Sequence, residues 1–333
     1  MKISASIYSD KKRPLEETIK DLVDHQVDLL HVDSNDDLSV FDDIEKIRKI
    51  CSLPIDLHII SDQPEKYFDY LVKYPVEYVT FQYEQLPSDF KIPSNIKGEK
   101  GLALITPTPI DVFDNYSDFD FILFMATVPG QSGGVFDAQN FKRIRNFKSK
   151  NPNKKVHVDG GVNGEVSFIL RNMGVHASVS GSFLFKAASV GQALMDLTKR
   201  EIKSTFKIKD FMVPREECPI LEIDNLNLES VLNSIEDGNI GFTIIESKNK
   251  FIGIISNADV RRALLKNISN IEGISPNDMV NKSPVSIDEN QNVNDMLKLV
   301  RDQDFPLMYL PVVNKNGAAA GIITFVNLIK GEF

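Results

Sequence analysis

Eight short runs of apolar and β-branched residues recur about 25 residues apart along the first 200 positions of this chain. That recurrence limits the fold more than any other feature. The runs are KISASIY (2–8), VDLLHVD (27–33), PIDLHII (54–60), EYVTF (77–81), GLALI (101–105), DFILFMA (120–126), KVHVD (155–159) and HASVSG (176–181). Amphipathic stretches separate most of them, among them PLEETIKDLVDHQ (14–26), VFDDIEKIRKICS (40–52) and FKRIRNFKSK (141–150). Strands that alternate with helices pair in parallel through crossover connections. Eight units in about 200 residues predict an α/β fold, a (β/α)8 TIM barrel at the short end of its size range. A doubly wound open sheet is the rival. It usually has fewer strands, and no GxGxxG follows the first strand here.

The pattern changes near residue 200, and KREIKST (199–205) reads as a linker. Residues 206–333 then read as two copies of one α+β module, about 206–270 and 274–333. Each begins with a Met-Val segment (KDFMVP, 209–214; NDMVNKSPVSI, 277–287) and continues with a helix (228–238; 293–303). Two strands follow in each, ending on the clearest echo, GIISNADV (253–260) against GIITFVNL (321–328). Two repeats are too few for a solenoid, so they should pack as a pseudo-symmetric pair.

At 42% apolar and 26% charged residues the chain is too apolar for a disordered protein. The net charge of −9 argues against a phosphate-backbone binder, so no nucleic-acid partner is expected. The two cysteines, Cys51 and Cys218, sit in apolar company and read as small buried hydrophobes. The first residues lack an apolar signal core, and no apolar stretch approaches the 18 or so residues of a membrane span. The expectation is a cytoplasmic protein with no membrane partner.

On a parallel barrel, side chains that act on a ligand lie toward the C-terminal ends of the strands. His31 and Asp33 are two apart and share one face of the second strand. His58 stands at the corresponding place on the third strand, and Asp159 ends the seventh. Two imidazoles and two carboxylates converging on one barrel mouth suit a divalent transition metal. Each residue alone is more often structural; the set of four is what points to a metal. His157, one layer below Asp159, reads as supporting or interior, and His25 and His176 as structural or solvated. Gly160-Gly161 and Gly181-Ser182 follow the seventh and eighth strands, where barrels often hold phosphate on backbone N–H groups. The loop 129–134, PGQSGG, ending in Gly133-Gly134, is placed to close over a ligand. Tight turns are the blander reading of these glycines.

Residues 1–198 resemble the ribulose-phosphate 3-epimerase family through ISASIYS, HVDSNDD, DLHII, YVTFQYE, ALITPTP, FMATVPGQSGG, VDGGVN and SGSFLF. The resemblance implies metal ligation by His31, Asp33, His58 and Asp159. It implies catalysis by Asp33 and Asp159, one removing the proton at C3 and the other returning it to the opposite face. It matches Ser6 to the family's first-strand serine, and Gly160, Gly161, Gly181 and Ser182 to its phosphate-binding turns. One divalent metal ion is implied, with zinc placed first and iron, manganese and cobalt as alternatives. The chain departs from the family at Asn35 (for Met), Asp37 (for Gly), Gln82 (for the His of HxE) and the Gln131 loop. The metal set survives while the pocket has changed.

The C-terminal repeats resemble a CBS domain pair, or Bateman module. GIISNAD (253–259) carries that family's nucleotide signature in full, with Ser256 on phosphate and Asp259 on ribose. The second copy keeps Thr324 but has Asn327 for the acid. An adenine nucleotide or nucleotide-sugar effector is implied, as is a homo-oligomer. Arg261 and Arg262 either pair with phosphate or form a solvated helix face. The reading expected from the sequence is a metal-dependent 3-epimerase of a sugar phosphate, D-ribulose 5-phosphate/D-xylulose 5-phosphate or a relative, under CBS control. The alternative is a sugar-phosphate-binding sensor or assembly protein with little turnover.

Overall fold

The computed structural model describes residues 1–116, 118–127, 133–199, 204–305 and 307–325. These divide into two compact units, 1–199 and 204–325. In the first unit eight parallel strands close into a barrel in chain order: β1 (Lys2–Ser6), β2 (Leu29–Asn35), β3 (Ile55–Ile60), β4 (Tyr78–Gln82), β5 (Glu99–Ile105), β6 (Phe121–Met125), β7 (Lys155–Asp159) and β8 (Ala177–Ser180). β8 pairs with β1, Ile3 opposite Ser178, which completes the ring. The TIM barrel is the architecture, not the open sheet.

Around it run α1 (Leu15–Asp24), α2 (Val40–Ile50), α3 (Phe68–Lys73), α4 (Gln139–Lys150), α5 (Gly164–Asn172), α6 (Ser182–Lys186) and α7 (Val190–Thr198). α2 shows why these stretches are helical. It buries Val40, Phe41, Ile44 and Ile47 along one stripe, with Asp42 and Asp43 in its first turn and Arg48 and Lys49 in its last. That charge order complements the helix dipole. Two crossovers differ from the expected pattern: among the described residues, β4–β5 and β5–β6 carry only 3-10 turns, Tyr83–Gln85 and Ile110–Asn115.

The closed register decides which side chains meet. It sets Asp33 of β2 beside His58 of β3, and His31 beside Asp56. β2 extends two residues past the sequence estimate, so Asp33 lies within the strand and not at its end. At the other end of the barrel His157 is buried against Phe121 (centroids 4.2 Å apart) and stacks on His176 (5.4 Å). His157 is thus interior, and His176 structural.

The second unit contains α8 (Ile208–Phe211), β9 (Val213–Pro214), β10 (Ile220–Glu222), α9 (Leu228–Gly238), β11 (Phe242–Ser247), β12 (Lys250–Ser256), α10 (Asn257–Lys266), β13 (Ile287–Asp288), α11 (Val293–Arg301), β14 (Tyr309–Val313) and β15 (Ala319–Thr324). Its sheets are β10-β11-β12 and β13-β14-β15-β9. Each repeat is a short strand, a helix, and a hairpin whose first strand runs parallel to the short one. The repeats exchange segments. β9, which precedes the first repeat's sheet, pairs with β15 of the second, and Asn281 bridges to Ile254 of the first. Phe242 and Tyr309, at corresponding strand starts, stack at 4.0 Å. Cys51 and Cys218 are half-buried, less enclosed than their apolar neighbours suggested.

Burial sets a pH dependence. It pushes the His157 imidazole down to about 3 and that of His176 down to about 4, with neighbouring positive charge adding to the effect. An unfolded imidazole titrates near 6.5. Below that pH the unfolded chain takes up protons that the folded barrel refuses, so stability falls as pH drops from about 6.5 toward 4. Replacing His176→Phe keeps the ring stack and removes its share of this proton uptake. The barrel's melting temperature should fall less between pH 7 and 4.5 in that variant than in the parent, as read by calorimetry; parallel curves would refute the assignment.

Candidate metal centre and ligand cavity

His31, Asp33, His58 and Asp159 each offer a ligand atom to one point, and these atoms lie within 4.8 Å of one another. Both imidazoles are fully buried and each has one ring nitrogen already engaged. His31 Nδ1 donates to Asp56 Oδ2 (2.9 Å), which also accepts from Ser4 Oγ (2.9 Å). His31 Nε2 then faces Asp33 Oδ1 at 3.1 Å and Asp159 Oδ2 at 3.9 Å. His58 donates Nε2–H to Gln82 Oε1 (2.9 Å). Its Nδ1 faces Asp33 Oδ1 at 3.4 Å, fully buried and without a hydrogen-bond partner.

That orphaned nitrogen is a direct test of the metal expectation, and the site passes it. A lone pair and a carboxylate oxygen facing each other repel unless a proton or a cation lies between them, and a metal ion at this point would give both a partner. The engaged outer nitrogens fix tautomer and ring orientation, as the outer partners of metal-binding histidines do. Burial lowers the pKa of His31, but Asp33 and Asp56 outweigh burial and hold it well above the ordinary value. Burial also raises the pKa of each carboxylate. In Asp33 the nearby imidazoles override this and hold it far below the usual range. In Asp159 burial and the charge of Asp33 prevail, pushing it up to about 6.

Above these groups opens a cavity of about 600 Å³. Asp33 and Asp159 form part of its floor, and Ser6, Gly133, Gly134, Gly160, Gly161, Gly181 and Ser182 all line it. The structure therefore brings the candidate ligands and the candidate phosphate-binding residues to one mouth of the barrel. Two of the glycines are obligatory there. Gly161 has φ +67° and an added Cβ would strike the backbone of Phe136; Gly160, at φ +108°, would strike Thr127. Asn35 lies on the same β2 face as His31 and Asp33 and reaches the cavity wall, whereas Gln131 and the 129–132 part of the loop lie outside the described residues.

Sequence reasoning missed Asp56, Gln82 as a partner of His58, and several residues of the cavity wall, among them Tyr8, Lys11, Lys186 and Asp196. Asp56 was available from the DxH spacing, which puts it on the face of His58 one layer deeper. Lys186 lies one helical turn beyond Ser182. Nothing local marks Lys11, which enters through the loop before α1.

In the second unit Ser256 and Asp259 form a reciprocal N-terminal cap on α10. Ser256 donates N–H (2.9 Å) and Oγ–H to Asp259 Oδ2, and Asp259 N–H returns to Ser256 Oγ (3.3 Å). Arg262 pairs with the other Asp259 oxygen. Thr324 ends β15, and Asn327 lies outside the described residues. Arg261 is exposed on α10.

A closed parallel barrel with a His2Asp2 cluster beneath a glycine-lined cavity defines a TIM barrel whose mouth could hold a metal ion. The sequence model described as "Ribulose-phosphate 3 epimerase family" matches residues 2–185, and the chain belongs to that family. The model described as "CBS domain" matches residues 277–331. The ribulose-phosphate 3-epimerase of Methanocaldococcus jannaschii is 30% identical over 226 residues, covering 64% of this chain and 95% of the relative. That of Bacillus subtilis is 26% identical over 212 residues, covering 59% and 98%. A solved structure of CBSX2 in complex with AMP is 24% identical, covers 38% of this chain and 96% of its own, and superposes with a TM-score of 0.32.

The cavity turn gives a prediction. Gly161→Ala should cost more than Gly133→Ala. At Gly133, φ +92°, an added Cβ would meet only ordinary contacts with Lys186 Nζ (3.7 Å) and Ser182 Oγ (3.9 Å), and the position bears only the backbone strain of roughly 1–2 kcal/mol. Gly161 adds a collision with main chain that cannot move aside. Urea unfolding of the two variants measures the difference, and equal losses would contradict it.

Proposed function

We propose that this chain is a divalent-metal-dependent 3-epimerase of a ketose phosphate, D-ribulose 5-phosphate/D-xylulose 5-phosphate or a close relative. The observation that carries this is two carboxylates, Asp33 and Asp159, opening into one cavity beside two imidazoles whose remaining nitrogens converge on the same point. His31, Asp33, His58 and Asp159 would hold the ion, zinc first among the candidates. When bound, it supplies a Lewis acid that stabilises negative charge on the substrate's oxygens.

The carbon acid is the chemical difficulty. Inverting C3 beside the ketone means breaking its C–H bond on one face and forming it on the other. Asp33 and Asp159 both open into the cavity, so one carboxylate can remove the proton and the other return it to the opposite face. In the reverse direction the roles exchange. In the same cavity the backbone around Gly160, Gly161, Gly181 and Ser182, with the Ser6 hydroxyl, offers a cradle for the phosphate. Lys11 and Lys186 add positive charge there, and neither has a carboxylate partner among the described residues. Binding energy from this cradle positions C3 without acting on it.

A second reading, a sugar-phosphate sensor with little turnover, draws on one observation: Asn35 presents an amide to the cavity where the family carries an apolar Met. Incubation with D-ribulose 5-phosphate and Zn²⁺, Mn²⁺ or Co²⁺ in D₂O separates the two. Deuterium at C3 and xylulose 5-phosphate are expected, and Asp159→Asn should lower the rate by about 10²–10⁴-fold. Metal binding without exchange in any ketose phosphate would support the sensor.

The CBS unit is proposed to bind an adenine nucleotide or nucleotide sugar through Ser256, Asp259 and Thr324, and to adjust activity or assembly. A ligand must compete with the Arg262 contact on Asp259. AMP, ADP, ATP or a CMP-sugar should raise the melting temperature of this unit, and Asp259→Ala should remove the rise. No shift with any of them would leave Ser256 and Asp259 as a helix cap.

A further inference from the structure

We propose that Gln82 is a positioning residue for the cation site, the inner member of a hydrogen-bond relay that runs outward from His58 through Glu84 to Thr108. This rests on the reading of His58 as a metal ligand. Gln82 ends β4 and is 3% exposed. Its Oε1 accepts from His58 Nε2 at 2.9 Å, and its amide nitrogen donates to Glu84 Oε2 and to the Ala103 carbonyl (3.4 Å). Glu84 Oε1 accepts from Thr108 Oγ1 (2.5 Å) and from the Ile105 N–H (3.1 Å). Thr108 is in turn held through its carbonyl by Arg143 of α4 (2.6 Å), whose other arm bonds Asn140 Oδ1 (2.8 Å) and whose guanidinium lies over the Phe124 ring.

The relay has a direction. An ionised carboxylate only accepts, so Glu84 requires Gln82 to turn its amide nitrogen outward. The amide oxygen then faces inward, and His58 must carry its proton on Nε2. Nδ1 is left as a bare lone pair aimed at Asp33, the form that a metal ion needs. A carboxylate near the surface thereby sets the tautomer of a buried imidazole two links away. A merely structural Gln82 would need only to be enclosed and bonded, and the orientation of its amide would carry no consequence for His58 Nδ1. The same geometry accounts for Gln at a position where the family carries His: either side chain can offer an acceptor to His58 Nε2–H.

The test reads metal affinity, not turnover. Metal-free parent, Gln82→Leu, Gln82→His and Glu84→Gln full-length proteins are titrated with Zn²⁺ and Co²⁺ against a chromogenic chelator. Near-ultraviolet circular dichroism and melting temperature of the metal-free forms check the fold. Gln82→Leu should weaken binding about 10–100-fold, the usual cost of losing such an outer partner. It should also change the visible spectrum of the bound Co²⁺. Glu84→Gln, nearly isosteric, removes the acceptor-only constraint and should weaken binding by a smaller factor. Gln82→His should bind nearly as the parent does. Gln82→Leu or Glu84→Gln binding as tightly as the parent would overturn the relay, as would Gln82→His binding as weakly as Gln82→Leu. If Gln82→Leu fails to fold, Glu84→Gln decides alone. A parent that takes up neither metal would sink the metal reading itself and the relay with it; a parent that binds beside variants that bind equally sinks the relay only.

Discussion

Everything in the barrel unit is arranged around one electrostatic problem: two buried imidazoles and two carboxylates share a volume less than 5 Å across. Such a cluster is costly in a dry interior unless each polar atom has a partner. The fold meets most of that demand from outside the cluster, with Asp56 and Ser4 behind His31 and Gln82 behind His58. What remains unmet points inward, at a single locus. Barrel closure makes this possible, because the β2–β3 register sets Asp33 level with His58 and His31 level with Asp56. A slip of one residue would turn every one of these side chains to the helix side.

The barrel was legible because its signals are periodic and local. Buried parallel strands read as apolar runs, and the two-residue spacing in HVD, DLH and HVD places three pairs of polar side chains on strand faces. The connections were less legible. The chain between β4 and β5 has enough length for a helix yet holds only a 3-10 turn, Tyr83–Gln85, and that turn seats Glu84 against Ile105 and Thr108. Partners that come from different strands left no local trace. Gln82 meets His58 across 24 positions, and Lys11 joins the cavity only because β1 and β8 close the ring. In the sequence Gln82 counts among the changes to the substrate pocket; in the structure its contact is with His58, a candidate ligand.

In the CBS unit the repeat itself was readable, but the physical sense of its motif was not. Gly253 and Gly321 head the two GII echoes. A Cβ at Gly253 would strike the Asn281 carbonyl, and one at Gly321 the Val213 carbonyl. Each glycine therefore admits the Met-Val segment that precedes the other repeat's sheet, and the echo in sequence is the imprint of a mutual exchange. The following S-x-x-D is a capping box at the start of α10. One short motif thus meets two folding requirements before any ligand is considered. Part of its information is spent on the fold, so the motif by itself is weaker evidence for a nucleotide than its full match suggests.

The same division between folding and function resolves the net charge. A chain at −9 repels a sugar phosphate at long range. Within a Debye length of about 8–10 Å, however, local donors decide the outcome. The cavity lining mixes both signs, Asp33, Asp159 and Asp196 with Lys11 and Lys186. Asp196 is paired with Lys199, so Lys11 and Lys186 are left to meet an anionic group locally despite the net charge of the chain. The net charge of the chain therefore does not by itself keep an anionic ligand out of this cavity.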